Sequence, residues 1–183
     1  DELERLGLIP AHGATLGIGG KGVLITNRGG SGKSSLAMAG GARGFATSGD
    51  DFLALGQEED EIHSFPLFKT GKISKSSPAW DLISPIPNSR GDDGKHLVDL
   101  SKVLPTPPMS TLRINHAVIP FVGTTLGLHP GGTHDLLSAL LPSSVVLTSA
   151  PGNLTVELGR LVKFLPVSWL ELTPDLESAL ELI

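Results

Sequence analysis

Val23-Leu24-Ile25 is a continuous apolar run, the pattern of a strand covered on both faces. Ala11–Ile18 and Gly22–Thr26 read as two short strands around Gly19-Gly20-Lys21, a hairpin signal. Ser34–Ala42 is rich in Ala, Leu and Met and predicts a helix that Arg43-Gly44 ends. Phe45–Ser48 predicts a further strand leading into Gly49-Asp50-Asp51. Ahead of these, Leu3, Leu6 and Leu8 among acids and Arg5 predict a short helix before Pro10.

Beyond residue 51 the pattern is mostly that of antiparallel strands. Phe52–Leu55 and Ile62–Phe68 flank a polar turn at Gly56–Asp60. His96–Leu100 and the longer Leu112–Val122 follow, and Asp92-Asp93-Gly94 reads as a hairpin turn. Residues 69–94 carry many Lys, Ser, Pro and Gly and read as a long irregular segment. Thr133–Leu141 and Asn153–Leu165 have helical patterns, Val145–Leu147 is a short apolar run, and Val167–Leu172 reads as a strand. Thr173 can cap a last helix with Pro174 at its first position, where a missing N–H costs nothing. Parallel neighbours would each need a crossover of about a dozen residues, and helical patterns are scarce before 133. The fold class expected is therefore α/β of the α+β kind, a mostly antiparallel twisted β core with few helices.

Composition narrows the function classes. The 183 residues make one domain, 1–183, with a single sizeable core. The first residue is Asp1 rather than Met, so a domain upstream in the natural protein is an expectation. The net charge of −5, with no basic run, argues against nucleic acid as partner. No apolar stretch reaches the ~18 residues of a membrane helix, and Asp1–Glu4 lacks a signal peptide's basic start, so a cytoplasmic location is expected. With no Cys, disulfides and thiolate chemistry are excluded. Glycine, at 23 residues, exceeds its usual share of about 7%, which fits many turns and a binding loop made of backbone.

That loop is Asn27-Arg28-Gly29-Gly30-Ser31-Gly32-Lys33-Ser34-Ser35, set between the Val23–Thr26 strand and the helix. A phosphate-binding P-loop is G-x-x-x-x-G-K-[ST] in that context. Successive backbone N–H groups wrap a phosphate only where side chains stay clear, hence Gly29, Gly30 and Gly32. The helix N-terminus adds the positive end of its dipole. Lys33 supplies a point charge for the β- and γ-phosphates of ATP, and the Ser34 hydroxyl can ligate Mg²⁺. Asn27 stands where the pattern has its first Gly; Asn tolerates left-handed backbone geometry, so the loop can still close.

Asp50-Asp51 follows the P-loop helix and its next strand. Two adjacent carboxylates beside a triphosphate can divide the work, one accepting a hydroxyl proton and the other holding the metal. Other polar residues read more plainly. Lys69, Lys72 and Lys75 suit a solvated stretch or an approach to phosphate, and Arg113 suits the surface. His116, His129 and His134 lack a recognised metal-ligand spacing. The Gly131-Gly132-Thr133 turn can approach a nucleotide through its backbone. Trp80 and Trp169 read as core or loop anchors.

Taken in register from His12 to Asp51, these residues resemble the catalytic domain of HPr kinase/phosphorylase. The likeness is carried by His12-Gly13, Gly22-Val23-Leu24-Ile25-Thr26, Gly30, Gly32-Lys33-Ser34, Arg43-Gly44 and Asp50-Asp51. Where that family has a Glu-Ile-Arg-Gly-Leu-Gly segment, this chain has Lys69-Thr70-Gly71-Lys72-Ile73-Ser74-Lys75. It is thus more similar to the divergent HPr-kinase-related serine kinases, and the phosphorylase activity is not carried over. The resemblance implies a PEP-carboxykinase-like P-loop core and ring-like homo-oligomers. It implies Lys33 on phosphate, Ser34 on Mg²⁺ and Asp50 as general base. Asp51 would support the metal, and His12 would stand near the phosphates. The expected activity is ATP- and Mg²⁺-dependent transfer to a hydroxyl, with serine of a protein or peptide as phosphoacceptor. A small-molecule hydroxyl kinase and a non-catalytic nucleotide-binding switch module are the alternatives. The chain is far shorter than PEP carboxykinases and has no evident transition-metal ligand set.

Overall fold

The computed structural model describes residues 2–83, 89–90, 94–148 and 151–183. Helix α1 (Glu2–Arg5) leads into β1 (Ile9–His12), β2 (Ala14–Ile18) and β3 (Lys21–Ile25). Gly13 divides the expected Ala11–Ile18 strand in two, and β2 and β3 form the expected hairpin, with Gly19 and Gly20 at positive φ in its turn. Helix α2 (Lys33–Ala42) follows the glycine-rich loop and stops at Arg43, with Gly44 at φ 86° beyond it. Then come β4 (Phe52–Glu58) and β5 (Glu61–Pro66), a hairpin about Glu59-Asp60.

The segment expected to be irregular holds structure. It contains β6 (Thr70–Ile73), α3 (Trp80–Ile83) and β7 (Ser89–Arg90), followed by β8 (His96–Asp99) and α4 (Leu100–Val103). β6, β8 and β7 make a separate antiparallel three-stranded sheet. Gly71, Ile73 and Val98 turn inward there, so apolar residues are few but well placed. The expected turn at Asp92-Asp93 lies outside the described residues.

β9 (Leu112–Val122) is the axis of the large sheet. β3 runs parallel along one edge of it; β5, antiparallel, and β11 (Val167–Leu172), parallel, share the other. β1 extends the sheet beyond β4, and β10 (Gly127–Gly131) closes it beyond β11. The mixed α/β sheet is thus mainly antiparallel, and every described strand pairing within 52–122 is antiparallel. β10 corrects the expectation of a turn at Gly131-Gly132-Thr133: Gly131 ends the strand and Thr133 opens the next helix. Pro130 is tolerated because β10 is an edge strand.

Helix α5 (Thr133–Ser144), a 3-10 turn at Val145–Leu147 and α6 (Pro151–Leu161) cover one face of this sheet; α2 and α7 (Leu176–Glu181) cover the other. Two apolar clusters result, one around Leu16, Leu36, Met38 and Leu180, the other around Leu24, Leu53, Ile119 and Leu140. The last helix starts two residues later than expected, because Asp175 and not Thr173 caps it by accepting the Ser178 N–H at 3.1 Å. No helix among the described residues is long and apolar enough to cross a membrane.

Candidate functional site

β3, paired to β2 on one side and β9 on the other, delivers the glycine-rich loop at its C-terminal end. Thr26 fastens it: its N–H donates to Val118 O at 3.1 Å and its hydroxyl to His12 O at 2.9 Å. Asn27 then pins the loop through its side chain. Its Nδ2 donates to Pro120 O and its Oδ1 accepts the Arg28 N–H, both at 2.8 Å. The left-handed backbone expected of Asn27 is not adopted; Gly30 at φ 83° and Gly32 at φ 96° make the bend instead. At Gly32 a Cβ would also stand 2.6 Å from Leu172 Cδ1, so the tight approach of loop to β11 requires glycine.

Lys33 opens α2 and folds back over the loop. Its Nζ donates to Asn27 O at 2.6 Å and Arg28 O at 3.2 Å, and the residue is 6% exposed. Burial pulls its ammonium below the ordinary lysine range; Asp50 and Asp51 oppose that, and Lys95 adds to it. Beside it, Ser31 Oγ is buried with no hydrogen-bond partner among the described residues. Such a buried hydroxyl, next to a buried ammonium at a helix N-terminus, suits a bound anion.

The carboxylates stand across from this loop. Asp50 is 2% exposed. Ser34 Oγ donates to its Oδ1 at 3.0 Å and the Lys72 N–H to its Oδ2 at 3.2 Å. Burial pushes its carboxyl up to about 6, the Asp51 charge adds to the rise, and the two hydrogen bonds and Lys33 restrain it. Asp51 sits in a three-residue turn closed by the Phe52 N–H donating to Asp50 O at 3.1 Å. Its φ of 77° is rare for a non-glycine residue. The turn sends its carboxylate elsewhere: Oδ1 meets His12 Nε2 at 3.1 Å and Oδ2 meets Lys72 Nζ at 3.2 Å. Burial works against ionisation of Asp51, but the bonds and charges of His12 and Lys72 prevail and hold its carboxyl below the usual range.

A buried hydroxyl network sets the acid pair in place. Expected as a strand, Phe45–Ser48 makes only a bridge, between Ala46 and Gly17. Side chains replace the missing ladder. The Ser48 N–H donates to Thr15 Oγ1 at 2.8 Å, Ser48 Oγ meets Ser64 Oγ at 2.7 Å, and the Gly49 N–H donates to Thr47 Oγ1 at 3.0 Å. Thr15, Thr47, Ser48 and Ser64 are 0 to 5% exposed. Nothing in the sequence marks these hydroxyls, since each finds its partner across β2, the 45–49 segment and β5.

The structure thus gathers Lys33, Ser34, Asp50, Asp51 and His12 at one place and adds Lys72. A cavity of about 370 Å³ adjoins them, lined among others by Ser31, Lys33, Ser34, Lys72, Ser77 and Lys95; Asp50, Asp51 and His12 lie behind this lining and are not part of it. Ser35 lines it too, its Oγ 2.7 Å from Ser77 Oγ. Arg28 and Gly29 face a second cavity. Lys69 and Lys75 do not join; the Lys75 ammonium stands 5.9 Å from the Trp80 ring. The three histidines stay apart: His116 Nε2 meets Ser168 Oγ at 2.9 Å, His129 faces Glu171 at 3.9 Å, and His134 is exposed. Arg113 pairs with Glu61 at 2.9 Å on the surface. Among the described residues no group of three or more His, Cys, Asp or Glu converges as a metal site. Magnesium asks less, one or two carboxylates beside phosphate oxygens and water, and Ser34 with Asp50 offers such a corner.

No protein-family model matches the chain, and a search of curated proteins finds no match. Among solved structures it is similar to the HPr(Ser) kinase/phosphatase from Coxiella burnetii. The identity is 16%, the match covers 94% of this chain and 96% of that one, and the TM-score is 0.49. A likeness of that degree assigns neither activity nor substrate.

Proposed function

We propose that the chain is an ATP- and Mg²⁺-dependent kinase built on a P-loop core of the PEP-carboxykinase kind, transferring the γ-phosphate to a hydroxyl. A serine of a protein or peptide is the acceptor class this reading favours. The observation that carries it is the junction of loop and acid: buried Lys33 and Ser34 at the start of α2, with Ser34 Oγ on Asp50 Oδ1 at 3.0 Å. The resemblance in register from His12 to Asp51 supports the same reading.

The residues suit the groups they would hold. Loop N–H groups, Ser31 Oγ and Lys33 would take phosphate oxygens, and Lys33 would exchange its contacts with the Asn27 and Arg28 carbonyls for phosphate. Ser34, with Asp50 on its hydroxyl and Asp51 next in the chain turned toward Lys72 and His12, would hold Mg²⁺, which supplies positive charge at the phosphate oxygens. Asp50, pushed up to about 6, is poised near neutral pH to take the proton of an incoming hydroxyl. His12 and Lys72 hold the Asp51 carboxylate beside it and favour its ionised form. Little covalent chemistry is asked of the protein, so positioning and charge do most of the work.

The bond from Ser34 to Asp50 also favours a second assignment within the same reaction. A P-loop Ser and a nearby Asp commonly hold the metal together. Asp50 would then be the metal-side acid, and Asp51, paired with His12, the base. Titrating Mg²⁺ in transfer assays of Asp50→Asn and Asp51→Asn separates the two. The variant of the metal-side acid needs more Mg²⁺; the variant of the base is slow at any Mg²⁺. The kinase reading itself is tested by calorimetry of Mg-ATP with Lys33→Ala. Equal affinity for wild type and variant would sink it.

A further inference from the structure

A second cavity is lined by the first part of the glycine-rich loop, Asn27 to Ser31, and not by Lys33. Its volume is about 610 Å³, within the range of small-ligand sites. Gly30, Ser31 and Val122 line both cavities, so the loop's rim is their common wall. Their chemistry differs. The first is lined by Lys33, Lys72, Lys95 and serines; among the described residues the second has Arg28 as its one cation and carries the two rings of Phe121 and Trp169. Those two rings stand edge to face, centroids 6.1 Å apart. Trp169 lies on β11, paired to Ile119 of β9 and His129 of β10, so the wall is fixed by strands on both sides. At the opposite side Asp135, whose Oδ2 accepts the Gly132 N–H at 2.9 Å, and Ser138 offer acceptors from α5.

We propose that this cavity holds the nucleoside half of the nucleoside triphosphate, the base against the Phe121–Trp169 wall and its donor groups toward Asp135 and Ser138. The inference rests on the phosphate-loop reading above. Two adjoining cavities, one with three lysines and one with two aromatic rings, hydrogen-bond acceptors and a single arginine at the loop, match the two halves of such a molecule: a polyanion, and a flat ring system bearing amino and hydroxyl donors. A cavity walled by rigid aromatic rings costs little to order when the base arrives.

The test follows the Trp169 indole N–H resonance in the ¹⁵N-labelled full chain, assigned by its loss in Trp169→Phe. The probes are ATP and inorganic tripolyphosphate, each with Mg²⁺. Both should bind and compete in calorimetry, while ATP alone moves the Trp169 signal. Ser138→Phe, at an exposed position on α5, fills the cavity without touching the core. It should weaken ATP about tenfold and leave tripolyphosphate unchanged. If both probes compete but ATP leaves Trp169 unmoved, or both probes move it alike, the nucleoside site is refuted and the phosphate loop stands. If neither probe binds, the phosphate-loop reading fails and this inference falls with it.

Discussion

Replacing Asp50 by Asn should stabilise the protein at neutral pH. The side chain is 2% exposed, and burial raises its carboxyl from the ordinary 3.8 to about 6. A raised carboxyl means that the folded state favours the protonated form. That contribution is fully present below pH 3.8 and is lost as pH rises through about 6. At pH 7.5 the ionised carboxylate therefore costs about 3 kcal/mol relative to a neutral group, at ~1.36 kcal/mol per pH unit. Asn keeps both contacts: its Oδ1 can accept the Lys72 N–H, and its Nδ2 can donate to Ser34 Oγ, whose hydroxyl turns to accept. Weaker neutral hydrogen bonds return about 1 kcal/mol of the gain. The net is about 2 kcal/mol, or about 4–8 °C in Tm for a chain of this size. Thermal unfolding of wild type and Asp50→Asn, without nucleotide or metal, at pH values from 4.5 to 8 reads the difference directly. The gap should be widest at pH 7.5 and close toward pH 4.5; groups common to both proteins cancel. A variant less stable than wild type at pH 7.5, or a gap independent of pH, would refute the reasoning.

Three further outcomes follow from the site. Gly32→Ala forces a Cβ against Leu172 at φ 96° and should cost about 1–3 kcal/mol in urea unfolding. Asn27→Gly removes the bonds to Pro120 O and from the Arg28 N–H, so Mg-ATP should bind several-fold more weakly in calorimetry. The pattern of P-loop glycines alone would suggest tighter binding. His12→Ala frees the Asp51 carboxylate from one of its partners, so the Asp51 carboxyl should titrate at higher pH than in wild type, read from its side-chain ¹³C resonance across a pH series.

Much of the candidate site's arrangement was legible because its signals are local. Asn27–Ser34 lies between an apolar run and an Ala-rich segment, and Asp50-Asp51 follows within twenty residues. The long strands β9 and β11 were equally plain, being apolar runs bounded by polar or turn residues. What sequence missed depends on distant partners. β10 carries Pro130 and Gly131 and exists because β11 offers a free edge. Thr70–Ile73 is a strand because β8 pairs with it, and Lys72, one of three regularly spaced lysines, earns its role only where Asp51 meets its ammonium. Asn27 kept the loop by a different route from the one its residue type suggests, through side-chain bonds to β9 and to the loop itself rather than through left-handed backbone.

The central claim, that Lys33, Ser34 and the Asp50-Asp51 pair serve phosphoryl transfer, is tested most directly by following γ-labelled phosphate. Wild type, Asp50→Asn and Asp51→Asn are incubated with Mg-ATP and a panel of serine-containing peptides and small hydroxyl compounds, beside measured ATP affinities. The account predicts label on an acceptor hydroxyl with wild type. Whichever Asp is the base, its Asn variant should transfer about 10²–10⁴-fold more slowly while still binding ATP. Binding of ATP with no label moved to any acceptor, or transfer at the wild-type rate by both variants, would contradict it.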